Sequence, residues 1–471
     1  MKKLSLLSTL ILCCLFSFAQ PSDAILLSKM NTGKMPGASF VVIKEGKWIY
    51  GKNLGLANTS TSKPVDDQTI FMQASVSKTM IATAVMQLWE KGMINLDVDV
   101  NRYLKFPVRT PSFPNDSITA RMLLTHTSAI KDEWNTMGAL YQLGDSPISL
   151  DSFLRNYLLP SGIYYSSANY YSYQPGTQYN YSNIGSTLAA YLVEAITGDA
   201  FSHYCDTAIF SKICMNHTSF LLSGVSDTTK IARPYYWDNG TYNDAGLYGY
   251  PDYPDGQLRT TSTDMARFMT MYMQYGIYEG SRILDSATVA YMLKQQTVVD
   301  PDQGIIFYKG IASNGDVLWG HNGGDVGVNT AMYFNSVKKT GVIVMTNGDG
   351  TTAVNADLLA NDLYQYGITV TPGMNDTFPS CGTATSINTV NALKNIAFYP
   401  NPATTELHID MPVDGVVTFY DMSGKVRYQS PVTRSWNKLP LDRIASPGLY
   451  LLKITDKEGK YSIIKKITIL K

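Results

Sequence analysis

Ser75-Val76-Ser77-Lys78-Thr79-Met80-Ile81-Ala82-Thr83-Ala84-Val85-Met86-Gln87-Leu88-Trp89 sets a serine and a lysine three residues apart at the head of an apolar pattern. Val76, Met80, Ile81, Ala84, Val85, Leu88 and Trp89 recur at the spacing of one helix face until Gly92, so the stretch predicts an amphipathic helix. On that helix Ser75 and Lys78 share a face. A serine hydroxyl is a weak nucleophile until a neighbour takes its proton, and a lysine one turn away supplies such a neighbour. The helix start adds unpaired backbone N–H groups and the positive end of the helix dipole, which favour an alkoxide and an oxyanion.

The Ser-x-x-Lys spacing alone carries little, because the chain contains it six times, at Ser60, Ser75, Ser128, Ser336, Ser435 and Ser462. Ser336 and Ser462 border or lie in strand patterns, where residues at odd separation point to opposite faces. Ser60 sits in a polar turn before Pro64, and Ser435 leads through Trp436 and Asn437 to Leu439 and Pro440. Ser128 follows a Thr-rich loop and stays open as an alternative. Only Ser75 opens a long amphipathic helix.

Downstream, Pro175-Gly176-Thr177-Gln178-Tyr179-Asn180-Tyr181-Ser182-Asn183-Ile184-Gly185 brings a turn, a Tyr-Ser-Asn loop and then an apolar helical face through Leu188, Ala189, Leu192 and Val193. A phenol beside a cationic lysine can have its pKa lowered enough to act as a base, and the Asn amide can hold a substrate carbonyl or the lysine. A helix N-terminus capped by Ser or Asn explains the same residues. Gly320-His321-Asn322-Gly323-Gly324-Asp325-Val326-Gly327 lies between two strand signals. Its glycines allow close backbone approach to a ligand, and a strand edge there offers an N–H to an oxyanion; a hairpin loop accounts for them equally well. Lys339-Thr340-Gly341 reads as a hairpin turn between the strands at Ala331 and Val342.

From Gly37 to Tyr50, Phe40, Val42 and Ile49 alternate around Glu45-Gly46, which predicts a β-hairpin. Strand patterns return at Val317–Trp319, Ala331–Phe334 and Val342–Thr346, so the first and last strands are expected side by side in one sheet with a helical domain inserted. A linker is expected over residues 371–388, where Pro, Gly, Ser, Thr and Asn dominate. Beyond it, Leu407–Ile409, Val416–Tyr420, Tyr450–Ile454 and Tyr461–Leu470 predict a small all-β sandwich. At the other end, Lys2 and Lys3, the apolar run Leu4–Phe18 and the triplet Ser17-Phe18-Ala19 read as a signal peptide over residues 1–19. That run falls short of the roughly 20 residues a spanning helix needs, so no transmembrane anchor is expected in the mature chain.

The 471 residues carry 38 Lys+Arg against 38 Asp+Glu, which argues against nucleic acid as a partner. An apolar content of 45% suffices for a sizeable core. Cleavage after Ala19 removes Cys13 and Cys14 and leaves Cys205, Cys214 and Cys381, an odd number that does not suggest a disulfide framework. Cys205 and Cys214 read either as a pair or as two small buried residues. The five histidines show no spacing with Cys or carboxylates that a zinc site requires, and neither metal nor organic cofactor is expected.

Taken in order, the three constellations resemble the penicillin-binding-protein-like serine hydrolases: class C β-lactamases, D-alanyl-D-alanine carboxypeptidases and their esterase relatives. Flanking stretches share the likeness, namely Pro36-Gly37-Ala38, Leu123-Leu124-Thr125-His126-Thr127-Ser128, Gly256-Gln257-Leu258, Asp264-Met265-Ala266-Arg267-Phe268 and Val342-Ile343-Val344-Met345-Thr346-Asn347. The resemblance covers roughly residues 36–350 and raises Ser75 above the other serines. It implies an α+β fold: a mixed α/β β-lactamase-like domain over residues 20–370, with an antiparallel sheet flanked by helices plus a helical insertion, then the β-sandwich over 389–471. It also implies a nucleophile at Ser75, a base at Lys78 working with Tyr181, and substrate binding by Asn183 and by the His321-Asn322-Gly323 motif. The oxyanion hole is then the N–H groups of Ser75 and Gly324. Two positions depart from the pattern. His321 replaces a usual lysine, which implies weak or no β-lactamase activity, and Ala129 stands where a Gly is usual. The tail, with Phe398-Tyr399-Pro400-Asn401-Pro402, Tyr420-Asp421-Met422-Ser423-Gly424-Lys425 and Pro447-Gly448-Leu449-Tyr450, resembles the sorting domains of type IX secretion. That likeness implies the secretion machinery as a partner and a secreted or cell-surface location; a carbohydrate-binding sandwich is the other reading of the tail.

The expected chemistry is hydrolysis of an amide or ester in a peptide, ester or other small substrate, through an acyl-enzyme on Ser75. Two rivals remain: a non-hydrolytic surface protein using the same Tyr-rich cleft to capture peptide or glycan, and an adhesive role for the tail.

Overall fold

The computed structural model describes residues 20–379 and, further on, residues 396, 398–399, 401–411, 414–433, 435–442, 446–457 and 462–470. The expected signal peptide, Cys381 and residues 380–388 of the expected linker lie outside the described residues.

The main sheet has seven strands: β1 (Gly37–Lys44), β2 (Lys47–Asn58), β3 (Lys63–Pro64), β4 (Tyr308–Ile311), β5 (Val317–Asp325), β6 (Val328–Asn335) and β7 (Thr340–Thr346). Their order is β4-β5-β6-β7-β1-β2-β3 and every pairing is antiparallel. The first strand therefore lies against the last, as the sequence pattern implies, with Ala38 opposite Thr346 and Lys44 opposite Thr340. Glu45 and Gly46 take φ of +53° and +76°, the left-handed turn that matches the twist of a two-residue hairpin.

Successive residues of β1 enter different cores. Phe40 and Val42 join Val342, Val344, Leu359 and Leu363 on one side of the sheet. Val41 and Ile43 join Ile343, Met345, Met265 and Phe268 on the other. The alternation of Phe40 and Val42 read from the sequence thus catches only one of two cores, and Val41 and Ile43 fill the other because the strand is buried on both faces. Each large apolar side chain so buried contributes about 1.5–3 kcal/mol, so one such strand matches the net stability of a typical domain.

Five helices frame the sheet and the insertion: α1 (Asp23–Thr32), α2 (Lys78–Glu90), α3 (Asn183–Thr197), α4 (Ser262–Met273) and α5 (Ala356–Thr369). α1 and α5 cover the Phe40 face, and α4 covers the Val41 face, with α2 and α3 packed beyond it. α2 differs from its expected amphipathic form, because every residue from Lys78 to Leu88 is buried. Its polar residues are satisfied within the core: Thr79 donates to the Val76 carbonyl at 2.7 Å and Thr83 to the Thr79 carbonyl at 2.8 Å on the same helix, and Gln87 to the distant Ile283 carbonyl at 3.1 Å. A helix apolar on all sides is a core helix.

Cys214 is disulfide-bonded, whereas Cys205 is a free, buried thiol, so the two do not pair with each other. Of the two readings of these cysteines, the pair is excluded and the small buried residue holds for Cys205 alone.

The tail forms β8 (Phe398–Tyr399), β9 (Glu406–Met411), β10 (Gly415–Asp421), β11 (Val426–Val432), β12 (Ser435–Pro440), β13 (Gly448–Asp456) and β14 (Ser462–Ile469). Sheets β8-β9-β12 and β11-β10-β13-β14 share a core of Leu407, Ile409, Val417, Phe419, Leu452, Ile454, Ile467 and Ile469, a β-sandwich as expected. β11 escapes the sequence pattern because it is an edge strand carrying Pro431 and mostly exposed side chains.

Candidate active site

Ser75 lies in a tight 3₁₀ turn, Ala74–Ser77, that runs straight into α2. Ala74 takes a left-handed φ of +45°, which turns the chain sharply before the serine. Two contacts hold the turn: Ser77 Oγ accepts the Leu258 N–H at 3.0 Å, and Thr330 Oγ1 on β6 donates to the Gln73 carbonyl at 2.7 Å. The Lys78 ammonium, fully buried, donates to Ser75 Oγ at 3.0 Å and to the Asp255 carbonyl at 2.8 Å.

Tyr181 approaches from the loop before α3, its ring centroid 5.1 Å from Lys78 Nζ. Asn183 is the first residue of α3, and Ser182 caps the helix through Gly185 N–H at 2.9 Å. The expected cap is therefore present, and the segment also reaches the lysine. A second residue holds this start: the Asp132 carboxylate accepts the N–H groups of Asn183 (2.8 Å) and Ile184 (3.1 Å) and the Ser182 hydroxyl (3.1 Å). His126 Nδ1 accepts the Ser182 N–H at 3.2 Å, and its ring lies 4.3 Å from that of Tyr181.

His321, Asn322, Gly323 and Gly324 belong to β5 itself, and the turn falls after Asp325. The hairpin-loop reading of these glycines is thus replaced by strand packing. A Cβ on Gly323 would stand 2.4 Å from the Gln73 carbonyl oxygen and 3.0 Å from Ser75 N, so only glycine lets the strand lie against the serine turn. His321, two residues earlier, shares that face. The Asn322 N–H donates sideways to Tyr308 Oη at 3.1 Å. Two residues on, the Gly324 N–H faces the same way, beyond the last β4 partner at Gly320, and Gly324 is exposed.

The charges are set by burial. For Lys78, burial works against the cation, but Tyr181, Asp255 and Asp132 outweigh it and the pKa is raised. Burial raises Tyr181 as well, and the Lys78 charge opposes this without cancelling it. A lowered phenol, the sequence-based expectation, is not found: 36% of Tyr181 is exposed, yet its hydroxyl end is deep. Burial, with Lys78 adding to it, holds His321 down to about 3 and His126 well below its usual range, so both rings are neutral.

The remaining candidates fall elsewhere. Ser128 Oγ accepts the Ile130 N–H at 3.4 Å, and Lys131 lies over the Tyr171 ring instead. Lys339 forms the β6–β7 turn, as expected. Ala129, at the position where glycine is usual, takes φ +61°, which explains the glycine. Sequence reasoning gave no role to Asp132, His126 or Asp255. Their partners lie far off in the chain: His126 and Asp132 share the loop after Leu124 and bind the start of α3 some fifty residues on, and Asp255 meets Lys78 from 177 residues away. Among the described residues, no cluster of His, Cys, Asp or Glu is arranged to hold a metal ion.

Fold and site together define a serine hydrolase of the β-lactamase type. Residues 23–365 match the Beta-lactamase family, and the chain belongs to it. It is 28% identical to esterase EstB of Burkholderia gladioli over 47% of this chain and 55% of that protein. Against a penicillin-binding protein of Bacillus subtilis it is 26% identical over 67% of this chain and 68% of the other. The chain therefore spans about half the length of the esterase and two thirds of the penicillin-binding protein. A penicillin-binding protein structure from Bacillus halodurans superposes with a TM-score of 0.57 at 22% identity, covering 69% of this chain and 95% of that one. Residues 397–470 match the secretion system C-terminal sorting domain, which marks the protein for type IX export to the cell surface or medium and makes that machinery a partner. No helix among the described residues is long and apolar enough to cross a membrane.

Proposed function

We propose that the protein hydrolyses an ester or amide through an acyl-enzyme on Ser75, as a peptidase, carboxypeptidase or esterase with weak or no β-lactamase activity. The observation that carries this reading is the 3.0 Å hydrogen bond from buried Lys78 to Ser75 Oγ at the head of α2. Ser75 attacks the carbonyl and its proton passes to the Lys78–Tyr181 pair, which titrates as a unit. The oxyanion lies between the N–H groups of Ser75 and Gly324, while Asn183 and His321 line the substrate. The pair returns the proton to the leaving group, and water then releases the acid by the same path in reverse. Both pKa values are raised, Lys78 by the anionic groups around it and Tyr181 by burial, so the proton-accepting form of the pair grows as the pH rises.

The proposed organisation has residues 1–19 as signal peptide, 20–370 as hydrolase, 371–388 as linker and 389–471 as sorting domain. Peptide mapping after reaction with a fluorophosphonate tests the nucleophile. An adduct on Ser75 that is lost in Ser75→Ala is expected; folded protein with no adduct there would leave the cleft as a binding site.

A further inference from the structure

His321 is 2% exposed, on the sheet face that carries Ser75. Its Nδ1 lies 2.5 Å from the Asn322 carbonyl oxygen, which can only accept, so Nδ1 carries the proton of the neutral ring and Nε2 is a bare acceptor. The carbonyl is itself anchored. Asn322 Nδ2 donates to Asp357 at 2.7 Å, in the first turn of α5, and Tyr333 donates to the same carboxylate at 3.1 Å. Tyr333 also shares a 2.8 Å hydrogen bond with Tyr308, whose ring meets His321 edge-on at 5.1 Å. This network fixes one tautomer and one ring orientation.

Nε2, at the far end of the ring, is buried without a partner, a costly state that a ligand donor would relieve. The Tyr308 side is pinned by hydrogen bonds. On the other side stands Tyr181, 6.2 Å away and partly exposed, so a ligand donor meets the buried Nε2 from that side as the Tyr181 ring gives way. Tyr181 is also where the leaving group receives its proton in the proposed reaction. The charge felt by the ring is that of Lys78, already engaged with Ser75 and Asp255.

We infer that His321 presents a hydrogen-bond acceptor to the leaving group, so that the enzyme selects esters or amides whose leaving group bears an N–H or O–H donor and discriminates against those bearing a carboxylate. Asn322 and Asp357 act as positioning residues for that acceptor. The inference rests on the acyl-enzyme reading.

The test uses the acetate esters of 4-hydroxybenzamide, methyl 4-hydroxybenzoate and 4-hydroxybenzoate, each kcat/KM divided by the ester's rate with hydroxide. The carboxamide is expected to exceed the carboxylate by about tenfold or more, the equivalent of one hydrogen bond, with the methyl ester between. His321→Lys should swing that ratio toward the carboxylate by a similar factor while Ser75 still labels. Should that variant not fold, Asp357→Asn should move the ratio toward unity, and nitrogen NMR of the histidine-labelled wild type should show a protonated Nδ1 and a bare Nε2 for His321. An unchanged ratio in a variant that labels at Ser75, or a protonated Nε2 in the neutral ring, overturns the inference and leaves the acyl-enzyme standing. No label and no turnover in the wild type overturns both.

Discussion

Midway along strand β5 lies His321-Asn322-Gly323, level across β6 with Ile343–Met345 of β7; about 14 Å back along β7, where that strand begins, lies Lys339-Thr340-Gly341. Each places a basic side chain ahead of a glycine. They differ in what is packed against them. Gly323 abuts Ser75 N, and Thr330 on the paired strand holds the Gln73 carbonyl. Lys339 sits exposed in a turn at φ +46°, its carbonyl accepting the Glu45 N–H at 2.7 Å, so this end ties two hairpins together. Whether such a tripeptide reaches chemistry is decided by which part of the sheet the α2 start meets.

The most severe way to break the contrast is Ser75→Ala, expected to lower kcat/KM by about 10⁴-fold or more with the circular dichroism spectrum unchanged. Turnover within tenfold of wild type would put the nucleophile elsewhere. Gly323→Ala drives a Cβ into the Gln73 carbonyl and should cost about 10²-fold in fluorophosphonate labelling rate through displacement of the serine turn. Gly324→Ala, whose Cβ meets nothing within 4 Å, serves as its steric control. Equal labelling in both variants would contradict the packing argument. Because both members of the Lys78–Tyr181 pair are raised, the pair titrates above about pH 9, and from about pH 6 to 9 kcat/KM should climb steadily with pH without levelling as the small singly deprotonated fraction grows; a flat profile would show the pair already deprotonated. The smallest effects belong to the far end. Lys339→Ala should leave kcat/KM within about twofold, and Lys339→Gly should raise stability by about 1 kcal/mol in urea melts by relieving the left-handed backbone.

Much of this was legible in sequence because its signals are local. The Glu45-Gly46 turn, the strands β1 and β7 and the serine at a helix start each follow from composition and spacing over a few residues, whereas the burial of those strands on both faces does not. Three features were not. The strand character of His321–Gly324 is hidden, since its glycines serve close packing against the Ser75 turn and glycine run alone also describes a loop. Asp132 is invisible because its partners, Asn183 and Ile184, are some fifty residues downstream in the chain. The Tyr181 hydroxyl misled in sign: proximity to Lys78 is readable from the motif, whereas the depth of burial that outweighs it is a property of the assembled cleft.

Cys205 and Cys214 lie nine positions apart, one a buried thiol and the other already oxidised. Burial raises the Cys205 pKa well above its usual value, which leaves almost no thiolate to attack a disulfide. Once α2 and α3 close over the helix that carries Cys205, the bond at Cys214 is protected from internal exchange. Before that closure the same thiol is an accessible competitor. In an exported chain, correct pairing is therefore a race that packing around Cys205 must win, and variants that loosen this core should accumulate mispaired, inactive protein.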